Sequence, residues 1–243
     1  MGSSPGLAVP AEPGTRLLIV GSLVILSGLA WAWTVAMAAM PECHVLGLGP
    51  FVVMWTVMMA AMMFPSVIPV VLAFASFTRI RGDAPVVGAT LFVLGYIVVW
   101  GALGVPAHAL LVAIASLRDA VPSLATILPA LGGVLLIACG VYQLTPLKDA
   151  CLRHCRVPHL FLGHHWRDGL GGAFALGAHH GLYCAGCCAS LMVVLMVVGL
   201  MNMVWMVGLS VLIYLEKVVP QASLVVRAAG VGLCLVGVQR LVV

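Results

Sequence analysis

Seven long apolar runs follow one another in this chain, separated by short polar turns. A hydrocarbon layer offers no water to bond N–H and C=O groups, so such runs cross it as helices. About 20 apolar residues suffice for one crossing. The runs are roughly residues 16–39, 51–77, 86–115, 123–146 and 170–200, a stretch from Met201 to Pro220, and 222–242. Only 7% of the 243 residues are charged and 63% are hydrophobic, too little charge to cover a soluble domain of this size. The expected fold is all-α, a polytopic transmembrane helical bundle of about seven spans. A broken or re-entrant helix within 170–215 would reduce the number to six.

The loops orient the bundle. With seven spans and a cytoplasmic N-terminus, Arg16, Arg79, Arg81, Lys148, Arg153, Arg156, Arg167, Lys217 and Arg227 fall inside or near it, and Arg118 and Arg240 outside. Residues 1–15, polar and rich in Pro and Gly, read as a flexible tail without a cleavage site. Residues 16–243 read as a single transmembrane domain with a cytoplasmic Cys/His loop at about 147–168. The location expected is the cell (inner) membrane. The net charge of +4 is spread over loops, and no basic tract or phosphate loop is present, so nucleic acid is excluded as a partner. Seven acidic residues, mostly in loops, speak against a carboxylate-coupled transporter. No Ser/His/Asp arrangement is present, and no catalytic residue is assigned.

The chemistry concentrates in Gly177–Met196, which places His179, His180, Cys184, Cys187 and Cys188 in an apolar run. At about 100° per helical residue, His180, Cys184, Cys187 and Cys188 fall near 0°, 40°, −20° and 80°, on one face. Imidazole and thiolate donors so arranged suit Cu(I), or Zn(II) if thioethers stay out. Gly177 and Gly181 bracket the two histidines and would let another helix come close, so that the donors face protein. Met54, Met58 and Met62 recur every four residues in the second run, with Met59 and Met63 beside them, and read either as core packing or as thioether donors. Cys151 and Cys155, with His154 between them, can close on a soft metal if the segment is helical; otherwise they belong to a solvated loop. Glu42, Cys43 and His44 read as a polar turn, His108 as a hydrogen-bonded buried histidine, and Cys139 and Cys234 as small core residues. Glu216 beside Lys217 reads as an interfacial pair.

Four strings occur together: WTVMMAAMMFPS (Trp55–Ser66), YQLTPLKDACLRHCR (Tyr142–Arg156), HGLYCAGCC (His180–Cys188) and MNMVWM with a later EK (Met201–Met206, Glu216–Lys217). Over roughly residues 50–220 the chain resembles a bacterial multi-span family labelled predicted metal-binding integral membrane proteins, of unknown function. The resemblance implies a membrane location and a metal, with motif residues Met58, Met59, Met62, Met63, Cys151, Cys155, His180, Cys184, Cys187 and Cys188.

Three functions stay open on the sequence. The first is binding and transfer or transport of Cu(I) through a Cys/His/Met site, with neutral thiols before loading, copper as the expected metal and zinc as the alternative. The second is a thiol-redox protein using Cys184 and Cys187. The third is a non-catalytic subunit of a larger membrane complex. The partners expected are the lipid bilayer and a soluble metal chaperone or a membrane-complex partner. Oligomeric state stays open.

Overall fold

The computed structural model describes residues 12–39, 47–81, 84–121 and 123–242. Among these residues the chain forms nine helices and no strand: α1 Pro13–Ala38, α2 Leu48–Ile80, α3 Pro85–Ala120, α4 Leu124–Gln143, α5 Pro146–Arg156, α6 Pro158–His165, α7 Gly169–Val198, α8 Met203–Val218 and α9 Ala222–Val242. Six are long and apolar enough to cross a membrane: α1, α2, α3, α4, α7 and α9. By length and composition the number of candidate spans among the described residues is six, the lower of the two expected values. The seventh run is a helix of 16 residues. At 1.5 Å per residue it extends about 24 Å, short of a hydrocarbon core of about 30 Å. The expected tail is helical from Pro13, and Glu42, Cys43 and His44 lie outside the described residues.

Small residues set the helix spacing. A Cβ on Gly95 or Gly177 would overlap the backbone carbonyls of Phe174 and Phe92, and one on Gly181 would stand 3.2 Å from Tyr96 O. Helices α3 and α7 thus run side by side with their backbones nearly touching, as the two bracketing glycines led us to expect. The second close pair is α4 with α9, where a Cβ at Gly140 would lie 2.6 Å from Gly230 O and one at Gly133 2.9 Å from Gly237 O. Helix α2 passes unbroken through Pro65 and Pro69. Pro65 has no N–H to offer the carbonyl four residues back. That carbonyl, Ala61 O, instead accepts a 2.9 Å hydrogen bond from the Ser27 hydroxyl of α1.

The segment expected as a solvated loop is two packed helices. Thr145 caps α5 by accepting from Lys148 N, and Pro146 occupies its first turn. Lys148, Leu152, Cys155, Phe161 and Leu162 are buried. Helix α4 stops beside the middle of α7, where the Tyr142 hydroxyl donates to Gly186 O at 2.8 Å. The chain then turns, and α5 packs against the middle of α7 with Cys151 against Gly186, while Phe161 of α6 meets His180. Arg153 and Arg167 stay exposed, but Arg156 donates to Val219 O and Pro220 O, and Lys148 is wholly enclosed.

Candidate metal centre

Helix α7 presents His180, Cys184, Cys187 and Cys188 on one buried face, each at most 1% exposed. Helix α5 brings Cys155 to meet them. The donor atoms of Cys155, Cys184 and Cys187 all lie within 4.8 Å of one another. Cys155 Sγ is 3.9 Å from Cys187 Sγ, and Cys187 Sγ is 3.6 Å from Cys188 Sγ. Among the described residues, no other His, Cys, Asp or Glu joins the three thiols at that spacing. His180, one turn before Cys184, rests among Phe92, Tyr96 and Phe161, and its Nδ1 is buried without a hydrogen-bond partner. A buried imidazole nitrogen left unbonded is costly unless something binds it.

Two polar groups converge on Cys184. Lys217 Nζ donates to its sulfur at 3.0 Å, and the Tyr96 hydroxyl lies 3.1 Å from it. Away from water a buried sulfur is satisfied by polar neighbours of this kind. These contacts correct the reading of Glu216 and Lys217 as a pair. Neighbours on a helix point about 100° apart and do not face each other. Glu216 instead turns to Lys148, with Oε2 2.7 Å from Nζ, and both side chains are at most 1% exposed. Gln143 bridges them, donating to Glu216 Oε1 at 3.3 Å and accepting from Lys148. Lys217 turns to Cys184 and to Ser66 Oγ, 3.2 Å away.

Ser66 ties α2 to this centre. Met54, Met58, Met59, Met62 and Met63 are all buried, and the row ends one turn before Ser66. Ser210 of α8 donates to Met62 O at 3.4 Å. The thioethers thus line the core on the helix that supports Lys217. Cys151 is half-buried, with its sulfur 3.1 Å from a Cβ built on Gly186, and burial pushes its thiol above the ordinary range. The hydrogen bond with Cys184, followed by burial, holds the Cys155 thiol well above that range. His179, one position from His180, points away to the His165 and Tyr183 rings. His108 packs its ring 5.0 Å from Phe51.

The sequence reading missed Lys217, Tyr96, Lys148 and Gln143. A signal was available for the two lysines, because an ionisable residue near apolar spans requires a partner inside the bundle. Three soft sulfurs and an unbonded imidazole, all enclosed, form a donor set suited to Cu(I).

A family model, PpoB2, described as a copper chaperone, matches residues 52–239. That stretch contains every candidate donor from Met54 to Cys188. No curated protein and no solved structure matches the chain.

Proposed function

Because the chain belongs to this copper chaperone family, we propose that it is a multi-pass protein of the cell membrane that takes Cu(I) at Cys155, Cys184 and Cys187 and passes it on. The observation that carries the reading is the convergence of three thiols from two separate helices within 4.8 Å. Sulfur donors of this kind prefer Cu(I) to harder ions, and Zn(II) would ask for a fourth, tetrahedral ligand. His180 is placed to act as a further donor through its unbonded Nδ1, and Cys188 stands one sulfur away from Cys187. His179 belongs to a different group of rings.

Lys217 has a role in this scheme. It donates to Cys184, and Ser66 offers it a second acceptor when a cation takes the sulfur. The methionines of α2 supply weak, uncharged donors along the way, and shallow sites are what passage of an ion requires. Cys151 is a station on α5 outside the three-thiol group. We place the N-terminus and the α5–α6 side in the cytoplasm, facing a soluble donor or acceptor of copper.

The test is copper content per chain after growth in copper-supplemented medium. Wild type should retain copper through purification, while Cys184→Ser and Cys155→Ser should each retain less than a tenth as much. Equal copper in the three proteins would remove the reading.

A further inference from the structure

Helices α3 and α4 touch only sparsely. A groove of about 570 Å³ opens between them, with the C-terminal turns of α7 behind it. Leu110, Ile114 and Leu117 of α3 form one wall, Leu131 and Leu135 of α4 the other. These five side chains are 42–53% exposed, so the chain's own packing leaves the groove unfilled. Among the described residues that line it, Arg118 alone is charged.

The groove has a length and a polarity. Arg118 lies in the last turn of α3 and Leu124 opens α4, so both stand at the same end. From Leu124 to Leu135 the helix rises about 16 Å, close to the half of a hydrocarbon core of about 30 Å that one leaflet fills. A cation thus sits where a headgroup would lie, at the mouth of an apolar slot as deep as an acyl chain's own leaflet. Arg118 Nε is 3.7 Å from Asp119 Oδ1, and both side chains are more than half exposed. An exposed pair of adjacent residues holds weakly and leaves the guanidinium free to fork onto a phosphate. At its inner end the groove shares Leu110, Val193 and Met196 with a second apolar cavity of about 430 Å³. A longer or a second acyl chain therefore has room to continue.

We propose that this groove is a glycerophospholipid site, with an acyl chain between α3 and α4 and the headgroup phosphate on Arg118. Another helix is the poorer occupant, because helices meet in lipid through small residues. Helix α4 already turns Gly133 and Gly140 to α9, and a Cβ on Gly132 would stand 3.3 Å from Val197. The inference rests on the reading of the chain as a membrane protein and not on copper.

The test is native mass spectrometry of the full-length chain released from detergent, titrated with phosphatidylglycerol or with diacylglycerol of the same chains. Wild type should hold one phosphatidylglycerol at a concentration at least tenfold lower than it needs for diacylglycerol, and inorganic phosphate should not displace it. Arg118→Gln should bring phosphatidylglycerol down to the diacylglycerol level. Leu131→Trp, which fills the slot from an exposed position, should weaken both lipids at least fivefold. Equal retention of the two lipids by wild type would overturn the site whatever the variants do, as would an Arg118→Gln protein that keeps the full preference. A two-chain species that Leu131→Trp splits would put a second copy in the groove and overturn it as well. A chain recovered in the soluble fraction without detergent would overturn the membrane reading together with this one. Failure of the lipid titration alone leaves the thiol centre untouched.

Discussion

The molecule encloses two lysines, and it treats them differently. Lys148 is matched to a carboxylate and an amide, with Glu216 at 2.7 Å and Gln143 closing the set. Every charge in that group has its opposite, and nothing in it invites a ligand. Lys217, one residue along the chain from Glu216, is matched to a sulfur and a hydroxyl instead. A sulfur can exchange its ammonium for a soft cation, and a carboxylate locked to a lysine and an amide is the poorer candidate. The first lysine fastens α5 to α8. The second stands guard over a position another cation can take.

The comparison breaks most visibly at Lys148. Lys148→Met leaves Glu216 buried without its counter-charge, and should cost about 3–5 kcal/mol in unfolding measurements in detergent. Lys148→Met combined with Glu216→Leu should recover most of that loss, because removing both charges also removes the desolvation cost. A double variant as unstable as the single would mean that the pair does more than balance charge. Lys217→Met should cost less, about 1–3 kcal/mol, since it strands a thiol and a hydroxyl that bear no obligatory charge. Copper loading should erase much of this second deficit and none of the first; equal deficits with and without copper would place Lys217 in the same structural class as Lys148.

The pH dependence of loading sharpens the same contrast. The Cys155 thiol is held above its ordinary range by its hydrogen bond with Cys184 and by burial, so it is protonated at neutral pH. Copper must expel that proton. Apparent affinity should therefore rise with pH across the neutral range, by about tenfold per unit for each proton displaced, until the thiol itself ionises. A flat profile in a competition titration would mean that Cys155 is no ligand. The smallest effect is expected at Gly186→Ala. The added Cβ would meet Cys151 Sγ at 3.1 Å, and the helix propensity gained on replacing glycine offsets that crowding, so the net change should stay under about 1 kcal/mol. Copper content should not change, and a loss would bring Cys151 into the centre.

The sequence made part of this legible. The shared face of His180, Cys184, Cys187 and Cys188 follows from helical periodicity alone, and the spans follow from apolar length. Cys155 was half visible: its spacing from Cys151 was clear, but the arginines around it suggested solvent, and only the packing of α5 on α7 shows that they flank a buried stripe. Lys217 has its partner on another helix, because adjacency to Glu216 in sequence is not adjacency in space. Tyr96 carries no local signal at all. It lies 88 positions from Cys184, and close packing of α3 on α7 brings them together.

Helix α4 ends at the mid-point of α7, and that shortfall has an electrical consequence. In an energised bilayer, a full crossing by one elementary charge is worth about 2.3 kcal/mol per 100 mV. Cys184 and Cys187 flank Gly186, the residue whose carbonyl receives Tyr142 at the tip of α4. On the proposed function, a monovalent ion held there would have traversed only part of the voltage drop, and its exchange with the α5 side would answer to a fraction of the membrane potential.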